Sequence, residues 1–421
     1  TERMDALTTP LPKDWEAVKV EDIFEIITDF SAAGSFAQQS QMVQYTNDRT
    51  NYAQLIRTTE LKNGFNNTNA IYINKEAFEF LWRVNLNSDA IILPNIGINC
   101  GEIYYVDIKK LIHKHNALVP NAILLRTKKA NLKFLFYAFL DTWFQKQLIN
   151  IITSSAQPKF TKTDLRDLLI PLPPLNEQIA IANILSDVDR YLYSLDALIL
   201  KKESVKKALS FELLSQRKRL KGFNQAWQRV RLGTYKYRRG SFPQPYGNPQ
   251  WYSDNGMPFV QVYDVGENFK LNQKTKQKIS KIAQPMSVFV PKNSVIITLQ
   301  GTIGRVALTQ YDCYCDRTIL IFDNNTLNDV NKYFFVLSLF TKFEEEKRKA
   351  DGSIIKTITK QTLKDFEIPL PSLNEQIAIA NILSALDNEI TSLKNKKRQF
   401  ENIKKALNHD LMSAKIRVLK K

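Results

Sequence analysis

Residues 171–186 read PLPPLNEQIAIANILS, and residues 369–384 read PLPSLNEQIAIANILS. Fifteen of the sixteen positions are identical, at an offset of 198. A stretch that recurs at so long a period implies a repeated domain, so any fold must give two copies of one element matching surroundings. The match runs past the identical core. Thr161, Lys162 and Leu165 correspond to Thr359, Lys360 and Leu363 upstream; Leu195 corresponds to Leu393, and VKKAL at 205–209 to IKKAL at 403–407, downstream.

Each copy opens like a helix. Prolines precede Asn176 and Asn374, which suit N-caps, and Glu177 and Glu375 fall in the first turn, where the helix dipole favours an acid. No Pro or Gly interrupts 175–221 or 373–421. That allows two helices of about 40 residues, ~60 Å each. Apolar residues recur in 4-3 spacing: Ile181, Leu185, Val188, Leu192, Leu195 and Ile199 in the first copy, Ile379, Leu383, Leu386, Ile390 and Leu393 in the second. The pattern slips at Lys202 and Lys397 and then resumes, as a heptad seam with a break does. Two matching seams predict helices that pack on each other; the alternative is that each packs on its own domain.

Length allows two to four domains at ~150 residues each. With 44% apolar and 11% aromatic residues the chain can build ordinary cores. No apolar run approaches the ~20 residues of a membrane span, and residues 1–14 read as a polar tail rather than a leader. Three cysteines, an odd number, point to a reducing cytoplasm. The net charge of +17 is uneven: +1 over 1–160, +3 over 161–222, +8 over 223–358 and +5 over 359–421. A basic surface on that scale suits a polyanion.

Globular segments begin at Trp15 (WEAVKV) and Trp227 (WQRVRL). In the first, strands are expected at 70–73, 90–93, 102–106 and 122–125, a helix at 132–149 and a polar loop at 154–160. In the second, strands are expected at 288–290, 294–298, 306–308 and 318–322, a helix at 332–349, and a loop starting at 351. Beyond this order the two share anchors only: Gly34-Ser35-Phe36 with Gly240-Ser241-Phe242, Ile56 and Glu60 with Val260 and Asp264, Ile91-Ile92 with Ile296-Ile297. The predicted division is a tail 1–14, a globular domain 15–160, a long helix 161–222, a second globular domain 223–358 and a second long helix 359–421. The helices are near-identical and the globular parts have diverged: one part does the same job twice, the other does two versions of a job.

This organisation resembles the specificity subunit of type I restriction–modification systems. The repeated PLPxLNEQIAIANILS carries the resemblance most strongly, with the Trp-led domain starts and Gly301-Thr302-Ile303-Gly304 beside it. The first domain has Asn95-Ile96-Gly97 in place of that last loop. The resemblance implies an α+β chain: two globular α/β target recognition domains alternating with two long helices that pair as an antiparallel coiled coil. Each globular domain would read one half of a split, asymmetric site in double-stranded DNA. The helices would dock two modification (methyltransferase) subunits, with restriction subunits joining the complex. The chain itself would be non-catalytic and bind no cofactor; S-adenosylmethionine, ATP and Mg2+ are expected on the partner subunits.

A search for chemistry agrees with a binding protein. There is no GxxxxGK[ST] phosphate loop, no glycine-rich strand–turn–helix for S-adenosylmethionine, and no defensible pair of nuclease carboxylates. Cys313 and Cys315 have poor zinc spacing and no second pair. His113 and His115 read as solvated surface histidines. Base edges and phosphates are contacted by Arg, Lys, amide and hydroxyl side chains presented on loops. On that basis the candidate DNA-binding residues are Ser35, Arg57, Thr58, Asn95 and Lys159 in the first domain. In the second they are Arg238, Arg239, Ser241, Gln261, Gln300, Thr302 and Lys356. Two readings of other classes compete: a protein-only coiled-coil adaptor carrying two globular binding modules, and an enzyme, such as a nuclease fused to readers, with an unrecognised motif.

Overall fold

The computed structural model describes residues 11–65, 67–266, 268–301, 304–349 and 360–418. Two compact units emerge. The first comprises Thr1–Asp196 with Lys396–Lys421, the second Ala197–Asn395. Both long helices are 40 residues, Leu175–Leu214 and Leu373–Met412, and each contributes one half to each unit.

In the first unit the strand Glu16–Lys19 pairs antiparallel with Leu169–Leu172, so chain entry and exit are clamped together just before the first long helix. Between them lies a four-stranded antiparallel sheet ordered Ile26–Asp29, Ala122–Arg126, Ala90–Pro94, Tyr104–Val106. Its central strands are buried on both faces, and side chains alternate between them. Ile91, Leu93, Ile123 and Leu125 join one core with Phe134, Phe139, Phe144 and the helix residues Ile181, Leu185, Leu411 and Met412. Ala90, Ile92, Ala122 and Leu124 face a second core, covered by a three-stranded sheet ordered Ile71–Ile73, Ala53–Ile56, Asn116–Leu118.

The second unit repeats the plan. Gln228–Arg231 pairs with Glu367–Leu370. A four-stranded sheet runs Tyr237–Arg239, Ile319–Phe322, Val295–Thr298, Val306–Leu308. Val295, Ile297, Leu320 and Phe322 pack with Phe334, Phe335, Leu213, Leu214, Ile379 and Leu383; Ile296, Ala307, Ile319 and Ile321 face the other way. The small sheet gains a strand, ordered Gln277–Ile279, Tyr252–Val260, Cys313–Cys315, Val288–Val290.

The helix halves pair antiparallel within each unit. In the first, Asp196 meets Lys397 and Asp189 meets Lys404 (2.6 and 2.5 Å), and the Tyr191 ring packs tilted against Phe400. In the second, Lys202 meets Glu389 at 2.8 Å and Lys206 meets Asp387. The seam residues Ile181, Leu185, Leu195, Ile379, Leu383 and Ile390 are buried; Val188, Leu192, Leu386 and Leu393 are half-buried. Both expected packings therefore occur together, because the first and last turns of each helix lie on globular cores while the middle turns meet the other helix.

Three local expectations need correction. The helices begin one residue before the asparagines, so Pro174 and Ser372 hold the cap position, Asn176 and Asn374 lie in the first turn, and Ser372 Oγ accepts from the Glu375 N–H at 3.4 Å. The one position that differs between the repeats is thus the cap. The helix expected at 132–149 is two helices, Leu132–Phe139 and Thr142–Ile151, because Asp141 caps the second by accepting from Trp143 N. His113 and His115 are half-buried: the His115 ring stacks on Tyr52 at 4.4 Å, and His113 Nδ1 lies 3.1 Å from the His115 carbonyl.

Candidate nucleic-acid interface

The repeated NEQ triplet anchors each globular domain to its helix. Glu177 is buried; its carboxylate accepts from Trp15 Nε1 (3.2 Å) and from Arg417 Nε and a terminal nitrogen (2.7 and 2.9 Å). Glu375 does the same with Trp227 (3.2 Å) and Arg219 (3.2 and 2.7 Å). Gln178 accepts from Asn131 N and donates to the Pro173 carbonyl; Gln376 repeats this with Asn331 and Pro371. About three turns on, Asp189 binds Tyr137 and Lys404, and Asp387 binds Tyr333 and Lys206. A buried carboxylate is tolerated when a bidentate guanidinium and a ring N–H satisfy it. This lock was not among the sequence-based expectations, although its parts are visible in the sequence: Arg219 and Arg417 obey the 198 offset, and both tryptophans open a domain.

The candidate residues fall on other elements of each unit. In the first unit the strand Ala53–Ile56 ends at Arg57, whose Nε and a terminal nitrogen bind Glu60 at 3.0 and 2.6 Å and which also reaches the Asn69 carbonyl. Thr58 opens the helix Thr58–Asn63. Lys62 on this helix binds Asn99 and Glu102, both at 2.7 Å, tying it to the loop that contains Asn95. Asn95 is buried, and its Nδ2 donates to the Phe160 carbonyl; Ile96 bridges Lys159, which is exposed. Arg57, Thr58, Asn95 and Lys159 thus share one corner, in which Asn95 fixes the loop and Lys159 is open. Ser35 belongs elsewhere, capping the helix Phe36–Met42 in a capping box with Gln38.

In the second unit the strand Tyr252–Val260 ends at Gln261, and buried Asp264 takes the place of Glu60. Its carboxylate accepts from Gln261 N and Lys276 N, both at 2.9 Å. Gly301 lies against Val262, with room for a Cβ 3.6 Å from that side chain, so the exposed Gln300 is brought beside the Gln261 turn. Arg238 donates to the Phe289 carbonyl at 3.2 Å and Ser241 to the Met286 carbonyl at 2.9 Å, both on the segment before and within Val288–Val290. Arg239 Nε is buried without a partner among the described residues. Thr302 and Lys356 lie outside the described residues.

Glu60 and Asp264 differ electrostatically. Burial alone would push the Glu60 carboxyl up, but the hydrogen bonds and charge of Arg57 outweigh it and hold it below its ordinary value. At Asp264 burial wins over the backbone N–H groups and Lys276, and the carboxyl sits above its ordinary value. Among the described residues no group of His, Cys, Asp or Glu could hold a metal ion, and no helix is long and apolar enough to cross a membrane.

Two units of one plan, each carrying a diverged corner on a conserved base, define a two-module recognition protein. Residues 12–202 and 244–402 match the type I restriction modification DNA specificity domain, and the chain belongs to that family. It is 28% identical over 425 residues to a Methanocaldococcus jannaschii protein assigned to the MjaX type I restriction enzyme as its specificity subunit, covering 97% of this chain and 95% of that one. It is 25% identical to the MjaVIII specificity subunit of the same organism, covering 97% and 94%. The fold is similar to that of the type I restriction–modification S subunit from M. genitalium, with a TM-score of 0.60 and 16% identity over 96% of this chain and 98% of the other.

Proposed function

We propose that this chain is the sequence-specific DNA-binding subunit of a type I restriction–modification complex. Each globular domain reads one half of a bipartite, asymmetric duplex site. The long helices scaffold two methyltransferase subunits, one per copy of the repeat, and the restriction subunits join that assembly. The chain acts in the cytoplasm and performs no chemistry; S-adenosylmethionine, ATP and Mg2+ belong to its partners.

The supporting observation is the lock built twice. Glu177 with Trp15 and Arg417, and Glu375 with Trp227 and Arg219, hold two different recognition corners on identical bases. Identical bases suit identical partners, and diverged corners suit two different half-sites. Salt-dependent binding of duplex DNA by the full chain, tested by fluorescence anisotropy, separates this reading from a protein-only adaptor. Log Kobs should fall linearly with log salt. A chain that bound its methyltransferase subunits but no duplex would be the adaptor.

A further inference from the structure

Residues 268–311 contain seven Lys or Arg and no Asp or Glu. Four of the seven, Lys274, Lys276, Lys278 and Lys281, lie within eight residues. Lys274, Lys276 and Lys278 are exposed, Thr275 and Gln277 between them are half-buried, and Ile279 is fully buried against Phe242, Phe259 and Ala283. This alternation turns the three lysines to solvent: Lys278 lies on the strand Gln277–Ile279, and Lys274 and Lys276 on the bent segment that leads into it. Among the described residues, the strand Gln277–Ile279 is an edge strand, bonded within its sheet to Tyr252–Val260 alone.

The environment holds these lysines without neutralising them. Lys278 Nζ donates to the Asp254 carbonyl at 2.8 Å, and Lys276 Nζ sits 5.0 Å from the Tyr263 ring centroid. The Tyr263 hydroxyl in turn binds the candidate reader Gln261. None of the four lysines is in an ion pair among the described residues, whereas Lys202, Lys206, Lys394, Lys397 and Lys404 on the helices all are. The equivalent edge strand of the first unit, Ile71–Ile73, pairs with Ala53–Ile56 in the same way, yet residues 63–74 carry no charged side chain.

We propose that Lys274, Lys276 and Lys278 form a phosphate-tracking edge, so that the second globular domain supplies most of the electrostatic grip while the first binds its half-site with little of it. This rests on the DNA-reading function above. Two residues of extended chain span at most ~6.8 Å. One DNA strand places a phosphate every ~3.4 Å along the axis. Lysines two residues apart are therefore close enough to reach separate, neighbouring phosphates of one strand. Such contacts position the domain and carry no sequence information.

The test uses the full chain carrying K274Q/K276Q/K278Q, with anisotropy titrations over a range of salt on its target and on a scrambled duplex. At about 0.9 per neutralised phosphate, the salt slope should fall by about 2.7, while the target-to-scrambled ratio stays within about twofold. K274R/K276R/K278R should restore the slope, which excludes misfolding as the cause. K109Q/K110Q/K114Q, which removes the same charge from exposed sites of the first unit, should lower the slope by less than about one. An unchanged slope in the first variant, or an equal fall in the control, overturns the inference, and a collapsed ratio would make these lysines base readers instead. If the unsubstituted chain shows no salt-dependent duplex binding, the DNA-reading function itself fails.

Discussion

Arg57 occupies the most revealing position in the first domain, because its equivalent in the second is the neutral Gln261. The folded state holds the Glu60 carboxyl below its ordinary value, so its contribution to stability is present above the unfolded carboxyl's range and is lost as pH falls through the folded value. Replacing Arg57 with Gln leaves Glu60 charged and buried. The expected cost at neutral pH lies at or below the low end of the ~3–5 kcal/mol for a broken buried pair, since Arg57 keeps partial contact with water. The cost should shrink as pH falls, because protonating Glu60 removes the charge in the variant while the wild type loses its ion pair. Thermal melts of R57Q and wild type at pH 7 and pH 4 check this; a gap that widens in acid contradicts it. Arg239 tests recognition rather than stability. If it reads a guanine edge, R239A loses ~1–3 kcal/mol of discrimination at one base; if it holds phosphate, binding weakens on all sequences and the salt slope falls by about one. Competition titrations over single-base variants of the target distinguish the two, and no change in either quantity removes Arg239 from the interface.

At the scale of elements, the repeat makes the two helix ends interchangeable. In the first unit Arg417, Leu411 and Met412 come from the end of the second long helix. Arg219, Leu213 and Leu214 are their counterparts at the end of the first, and serve the second unit. A half-chain of residues 1–222 therefore carries both Glu177 and an Arg219 that can close the same lock in another copy. We expect it to form a homodimer, and R219A to break it; light scattering on both fragments measures this, and a stable wild-type monomer would contradict it. Much of this level was legible in the sequence. Both long helices followed from heptad spacing free of Pro and Gly, and the strands at 90–94 and 295–298 and the helix Lys332–Lys349 from apolar runs. The strand Tyr252–Val260 was not, because Ser253-Asp254-Asn255-Gly256 is a turn-like, polar stretch inside it, where the register with Gln277–Ile279 shifts so that Tyr252 and Met257 both partner Ile279. The break at Asp141 was hidden inside an aromatic run. At the site, Asn95 looked like a free amide; burial against the Phe160 carbonyl is a tertiary fact that local pattern does not carry.

For the whole molecule, the proposed function is that a single chain reads two unrelated half-sites because two diverged corners are mounted on one repeated base. Charge follows the same asymmetry, with +8 over 223–358 against +1 over 1–160. The most direct measurement is single-molecule mapping of methylation on DNA modified by the chain reconstituted with its methyltransferase subunit. The account predicts a split motif, two short specific blocks separated by a fixed run of unspecified bases, with the blocks unrelated to each other by symmetry. A continuous motif, or a split motif whose two halves are the same sequence inverted, would contradict it.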